Sequence, residues 1–163
     1  MARPKINNNP FAIMDTTPDP WKGLKAKTSD GFLIFDTPAN GARAGFINLT
    51  NAYLKRGLNT IEKIFPVYAP TGHGANVPED YIKRVVSLTG IPRNKTISSK
   101  DDIKKIGRAI VTHEEGNFWM TEKDFTDGFN AAVNSSSFLS ALKTGGGALG
   151  LLLLAFLLYV ATK

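Results

Sequence analysis

Apolar residues recur at every third or fourth position along much of the first 133 residues, a spacing typical of amphipathic helices with one buried face. The pair Thr37-Pro38 predicts where the first helix begins, because threonine caps exposed N–H groups and proline suits the first helical position. Later helical stretches open in a similar way, at Thr60, Pro78, Ser99 and Thr121. We therefore predict a series of short helices that share one core.

The segment from Trp21 to Phe35 has a different pattern, with two short runs of apolar residues separated by a turn. Asp30-Gly31 marks that turn, since glycine tolerates the positive φ angles that tight hairpin turns require. The domain is thus predicted to be mainly α, with one small β-hairpin. We expect it to span residues 1–133, followed by a serine-containing junction at 134–144.

Residues 145–161 contain no charged side chain, and the centre of this run reads LGLLLLAFLLYV. As a helix the run would be about 26 Å long, the lower end of what a lipid bilayer requires. A core helix of a small domain would show a polar face, and this run has none. The sequence therefore predicts a C-terminal transmembrane helix. The N-terminus lacks a signal-peptide pattern, so we expect the domain to stay on the side where it is made.

The chain has a formal net charge of +6 and no cysteine. The positive charge favours anionic partners such as phospholipid headgroups, nucleic acid or cell-wall polymer, but no basic block indicates specific nucleic-acid binding. Without cysteine there is no disulfide, thiol nucleophile or zinc–thiolate site. His73 and His113 are far apart and lack ligand-like spacing, so we expect neither a metal nor another cofactor.

The stretch HEEGNFW, residues 113–119, ends a helical pattern with two adjacent glutamates. On a helical wheel with Ile110 at zero, Ile106 lies at roughly −40° and Glu114 at roughly +40°. Glu115 lies at roughly +140°, on the polar side. Glu114 therefore continues the buried stripe, and partial desolvation would raise the pKa of its carboxyl as a general acid requires. The alternative is that both glutamates form the polar end of a surface helix.

Short motifs in a fixed order extend through residues 3–119. They are Asn7-Asn8-Asn9-Pro10 with Ile13, Trp21-Lys22-Gly23, Gly31-Phe32, Phe35-Asp36-Thr37-Pro38, Gly41, Arg43-Ala44-Gly45, Tyr53, Gly57-Leu58-Asn59-Thr60, Ala69-Pro70, Asn76, Tyr81-Ile82, His113-Glu114 and Gly116. The series resembles a family of phage virion-associated proteins with a lysozyme-like, peptidoglycan-degrading domain. Met14, Tyr68 and Glu115 depart from the family pattern, which usually has Arg, Trp and Asn at these positions.

This resemblance implies an α+β lysozyme-like fold and cleavage of the β-1,4 bond after N-acetylmuramic acid, by a lytic transglycosylase or a muramidase. Glu114 would be the catalytic general acid and base. No second carboxylate is clearly placed as its partner, so we prefer lytic transglycosylation, in which the sugar's own 6-hydroxyl attacks, to hydrolysis. The motif order looks circularly permuted relative to other muramidases, which predicts that Glu114 lies beside Asn7–Asn9 and the hairpin.

Five residues are candidates for substrate binding: Asn8, Asn9, Trp21, Tyr68 and His113. The two asparagines could hydrogen-bond the N-acetyl groups of a glycan, or they could form Asx turns that hold the N-terminal loop. Trp21 and Tyr68 could stack on sugar rings, or they could pack in the core. His113 is expected to orient Glu114 or to pack, rather than to take part in the chemistry.

Together these features predict a bacteriophage virion protein, anchored in the virion membrane, that degrades peptidoglycan at the host envelope during genome delivery. The expected partners are peptidoglycan, a lipid membrane and other virion proteins, with no specific nucleic acid. The alternative is a non-catalytic structural protein that keeps the fold and links an internal membrane to the capsid. A third class, a basic membrane tether for DNA, would show salt-dependent DNA binding.

Overall fold

The computed structural model describes residues 3–14, 21–72 and 77–135. β1 (Leu24–Lys27) and β2 (Leu33–Phe35) form an antiparallel hairpin. The α-helices are α1 (Pro38–Asn48), α2 (Ile61–Tyr68), α3 (Pro78–Thr89), α4 (Lys100–Glu115) and α5 (Glu122–Val133). Between α1 and α2 the chain continues as a π-helical segment (Leu49–Tyr53) and a 3-10 turn (Leu54–Arg56). The predicted mainly α architecture with one small hairpin is confirmed for this part of the chain.

The helices begin at the predicted capping residues. At the start of α1, Oγ1 of Thr37 accepts a hydrogen bond from the backbone N–H of Asn40. Thr60, Ser99 and Thr121 cap α2, α4 and α5 in the same way. Each bond satisfies an N–H group that has no partner within its helix, and such a cap contributes about 1 kcal/mol to stability. The predicted helix starts are therefore confirmed.

Two glycines allow the elements around α1 to approach one another closely. A Cβ atom at Gly128 would lie 2.6 Å from the carbonyl oxygen of Ala39 and 2.6 Å from Cβ of Ala42, so α5 packs closely on α1 because residue 128 has no side chain. A Cβ atom at Gly45, on α1, would likewise lie too close to the ring of Phe11. The N-terminal segment, residues 3–14, is thereby held against α1.

The fold-class prediction needs one correction. Within residues 3–14, 21–72 and 77–135, no helix combines the length and apolar character needed to cross a membrane. The longest of these helices, α4, has 16 residues and carries charged side chains, whereas a membrane span needs about 20 mostly apolar residues. The predicted transmembrane helix at 145–161 lies outside the described residues, as does most of the junction at 134–144. The fold class is therefore a mainly α domain with one β-hairpin, without a supported C-terminal membrane span; the domain limit at residue 133 stays a prediction.

Candidate functional site

The last turn of α4 places Glu114 at the edge of the core. The helix begins at the Ser99 cap and ends at Gly116, whose φ of 78° lies in the left-handed region that favours glycine. Ile106 and Ile110 are fully buried on its inner face. Glu114 follows Ile110 by about one turn on the same face and is partly buried.

Tyr81, on α3, is the polar partner of Glu114. Its hydroxyl donates a hydrogen bond to Oε1 of Glu114 over 2.8 Å, and the tyrosine is only 3% exposed. The His113 ring stacks on the Tyr81 ring, with centroids 3.7 Å apart and planes inclined by 25°. The packing of α3 against α4 therefore holds the carboxyl in place and engages one of its two oxygens.

Burial biases Glu114 and His113, in the last turn of α4, toward their neutral forms. It raises the pKa of Glu114 above its ordinary value; the hydrogen bond from Tyr81 opposes this effect, and the charge of Glu115 adds to it. Burial lowers the pKa of His113, and the positive charge of Arg84 lowers it further. A raised carboxyl pKa favours the protonated form, and this is the form that a general acid uses.

Aromatic rings from neighbouring elements surround the Tyr81 side chain. The Tyr68 ring lies edge-on to it with centroids 5.7 Å apart, and the Tyr53 ring lies 5.8 Å from that of Tyr68. The Tyr68 hydroxyl donates a hydrogen bond of 2.5 Å to the carbonyl oxygen of Phe11. Burial and the charge of Glu114 raise the pKa of Tyr68. Tyr68 thus lies within electrostatic reach of Glu114 and connects α2 to the N-terminal segment.

Glu115 contacts the N-terminal segment. Its Oε1 accepts a 2.8 Å hydrogen bond from the backbone N–H of Lys5. The helical wheel placed Glu115 on the polar side of α4, and the contact with Lys5 is exposed. A wheel cannot show a chain segment that folds back onto the helix end. The contact brings the end of α4 beside Lys5. The position of Glu114 beside Asn7–Asn9 and the hairpin, which the permuted motif order predicts, stays a prediction.

The two candidate asparagines are bonded within the fold. Asn9 is 1% exposed; its Nδ2 donates to the carbonyl oxygens of Ile13 and Leu33, and its Oδ1 accepts from the N–H of Ile13. Nδ2 of Asn8 donates to the carbonyl oxygen of Phe35, and its backbone has a φ of 49°, which asparagine tolerates. These contacts fit the alternative role of holding the N-terminal loop. A role in substrate binding stays a prediction.

Trp21 is partly buried and packs against the hydrophobic core just before β1. Its stacking on a sugar also stays a prediction.

A shallow open cleft of about 360 Å³ is lined by Arg3, Ile6, Asn7, Thr28, Ser29 and Asp30. None of the predicted site residues lines this cleft. We assign the candidate site to Glu114 because acid–base chemistry depends on a desolvated carboxyl and not on the size of a depression.

Sequence reasoning did not identify Tyr81 as a site residue. In the sequence Tyr81 was one position of the ordered motif series, as Tyr81-Ile82, and no role in the site was assigned to it. A buried tyrosine nevertheless needs a partner for its hydroxyl. That requirement is the signal that could have indicated a polar group across the interface between α3 and α4.

Comparison with known proteins relates the chain to a bacteriophage protein. No family model matches the chain. Over 131 residues it is 34% identical to Protein P5 of Pseudoalteromonas phage PM2, and the alignment covers 78% of this chain and 80% of the relative. Identity at this level over most of both chains indicates common descent.

Proposed function

The chain belongs to the family of Protein P5 of Pseudoalteromonas phage PM2, and from this premise we propose that it is a phage particle component that cleaves the glycan strands of peptidoglycan. It would act on the host cell wall when the phage delivers its genome, alongside other proteins of the particle. The observation that carries the proposed activity is the state of Glu114, a partly buried carboxyl whose pKa is raised by burial.

The proposed reaction uses Glu114 first as an acid and then as a base. Its protonated carboxyl donates to the glycosidic oxygen, the bond from that oxygen to C1 breaks, and positive charge develops at C1 of the N-acetylmuramoyl residue. The resulting carboxylate then accepts the proton of that sugar's 6-hydroxyl, whose oxygen attacks C1 and closes an anhydro ring. No water is consumed, and Glu114 returns to its protonated form.

Tyr81 orients the acid in this proposal. Because its hydroxyl donates to Oε1 of Glu114, the acidic proton belongs on Oε2. The His113 ring stacks on the Tyr81 ring and so supports the tyrosine on that face. His113 is therefore proposed as a residue that positions the acid through Tyr81.

The contacts of Glu115 favour transglycosylation over hydrolysis with retention. A retaining hydrolase needs a second carboxylate as nucleophile, about 5–5.5 Å from the acid. Glu115 is the adjacent carboxylate, but it leaves α4 about 100° around the helix from Glu114 and bonds to the backbone N–H of Lys5. An attack by the sugar's own hydroxyl needs no such nucleophile and fits this arrangement best.

A second candidate function is that of a non-catalytic structural component of the phage particle. The side chains of Asn8 and Asn9 favour it, since both bond to the protein's own backbone. In that case the contact between Tyr81 and Glu114 would only stabilise the packing of α3 on α4.

Zymography on purified peptidoglycan distinguishes the two functions. The full chain is compared with Glu114→Gln, which keeps an acceptor for Tyr81 but has no acidic proton, and with Glu115→Gln as the matched control. The catalytic function predicts clearing by the parent and by Glu115→Gln, and none by Glu114→Gln. A folded parent that clears nothing supports the structural function. Clearing that both variants lose equally would show that Glu114 has no special role.

A further inference from the structure

Arg84 extends the Tyr81 face of α3 by about one turn. It follows Tyr81 by three positions, and helical side chains at that spacing lie on the same side. Tyr81 is buried, whereas Arg84 is exposed. The His113 ring, which stacks on Tyr81, is close enough to Arg84 for the guanidinium charge to act on it. Arg84 therefore lies at the solvent edge of the aromatic pair beside Glu114.

The positive charge of Arg84 is unpaired within the described part of the chain, where its side chain makes no hydrogen bond or ion pair. Two other arginines do have carboxylate partners: the guanidinium of Arg93 binds Glu79, and that of Arg108 binds Glu122. An exposed guanidinium at the edge of the Tyr81–His113 pair, whose tyrosine binds the candidate acid, is thus available to an anionic group of a ligand.

We propose that Arg84 binds a carboxylate of the substrate, on the lactyl group or the peptide stem of the N-acetylmuramoyl residue. This inference rests on the proposed glycan-cleaving function and names the substrate class of that site, a glycan with acidic substituents in place of a neutral chitin-like chain. A guanidinium suits this role because two of its N–H groups can bind both carboxylate oxygens in parallel. The contact would determine which sugar presents its C1 to Glu114.

Binding measurements test the assignment in a full chain that carries Glu114→Gln. The two ligands are a peptide-bearing glycan tetramer prepared from peptidoglycan and chitotetraose, which has the same β-1,4 linkage but no carboxylate. Adding Arg84→Gln should weaken binding of the peptide-bearing glycan by about tenfold or more, since a hydrogen-bonded charge pair is lost. Binding of chitotetraose should not change, and Arg84→Lys should restore part of the loss.

Lys83→Gln is the matched control, because Lys83 is the neighbouring exposed cation on α3 and the variant has the same change in net charge. Three results would overturn the assignment. They are an equal loss of affinity in Lys83→Gln and Arg84→Gln, an equal loss of affinity for both ligands, and no binding of either ligand. If the parent clears peptidoglycan and Arg84→Gln still binds the peptide-bearing glycan normally, the role of Arg84 is contradicted and the proposed catalysis is not. If the parent clears nothing but Arg84→Gln selectively weakens binding of the peptide-bearing glycan, the proposed catalysis is contradicted and the role of Arg84 is not.

A second readout tests the position of Arg84 without any ligand. Because the guanidinium lowers the pKa of His113, Arg84→Gln should raise that pKa in an NMR titration, whereas Lys83→Gln should raise it less. A His113 pKa that does not respond to Arg84→Gln would show that the guanidinium lies elsewhere and would overturn the inference.

Discussion

The Tyr81 hydroxyl donates a 2.8 Å hydrogen bond to Oε1 of Glu114 across the interface between α3 and α4. The bond has an electrostatic consequence as well as a structural one. Burial raises the pKa of Glu114, and this bond partly offsets the increase because it stabilises the carboxylate. The pair therefore sets the protonation state on which the proposed chemistry and part of the stability depend.

Glu114→Gln should stabilise the protein at neutral pH. The pKa of Glu114 is raised in the folded state, so the carboxyl's contribution to stability is fully present at pH values below its ordinary pKa of 4.5. This contribution is lost as the pH rises through the folded-state pKa. Glutamine has no charge to desolvate and still accepts from Tyr81. Thermal melts should show a Tm of the variant a few degrees above that of the parent at neutral pH. At pH values below the ordinary pKa of the carboxyl, the two Tm values should be equal. A variant that is less stable at neutral pH would contradict the raised pKa.

Tyr81→Phe should raise the pKa of Glu114 further, because it removes the donor that stabilises the carboxylate. Loss of this hydrogen bond should also cost about 1–3 kcal/mol of stability when the carboxyl is charged. An NMR titration of the Glu114 side chain, with urea unfolding at the same pH values, measures both effects. Tyr53→Phe is the control and should leave the Glu114 pKa unchanged. An unchanged or lower pKa in Tyr81→Phe would show that the bond does not act on the carboxylate.

Asn9→Ala should destabilise the domain by about 3 kcal/mol, since it removes a hydrogen-bond partner from the N–H of Ile13 and from the carbonyl oxygens of Ile13 and Leu33; of these groups, the Ile13 carbonyl keeps a second donor, the N–H of Leu33. Asn8→Ala should cost about 2 kcal/mol, because its hydrogen bonds are more exposed and longer, but alanine tolerates the φ of 49° less well than asparagine does. Urea unfolding measures both. If Asn9→Ala is as stable as the parent but binds glycan poorly, the asparagine serves a ligand and not the loop.

Gly128→Ala should destabilise the protein by about 1–3 kcal/mol, although alanine ordinarily favours a helix over glycine by about 1 kcal/mol. The new methyl group would meet the carbonyl oxygen of Ala39 and Cβ of Ala42 at 2.6 Å. Asn130→Ala, at an exposed position of the same helix, is the control and should be neutral or slightly stabilising. A stabilising Gly128→Ala, seen in thermal melts, would mean that α1 and α5 separate easily.

Much of the fold could be predicted because its signals are local. The cap at Thr37 involves an N–H only three residues away, and the turn at Asp30-Gly31 depends on the φ preference of one glycine, which is 90° in the structure. The transmembrane prediction rested on the length and apolar character of residues 145–161, and within the described residues no helix has the length and apolar character to cross a membrane. The close approach at Gly128 had no local signal, because it depends on which helix packs opposite.

The candidate site could be predicted only in part. Helical periodicity placed Glu114 on the inner face, because that property follows from its own helix. Its partner Tyr81 is 33 residues away, and Lys5 is 110 residues from Glu115, so both contacts depend on tertiary packing. An asparagine that binds a glycan and one that binds its own backbone have the same sequence signal, and this is why Asn9 could not be assigned.

Mass spectrometry of the fragments released from purified peptidoglycan tests most directly whether Glu114 cleaves glycan as a general acid. With the full chain, the expected products end in 1,6-anhydro-N-acetylmuramic acid and are one water lighter than products of hydrolysis. Their release should disappear in Glu114→Gln and persist in Glu115→Gln. A folded parent that releases no fragments, or a Glu114→Gln variant that releases them at the parental rate, would contradict the proposed role of Glu114.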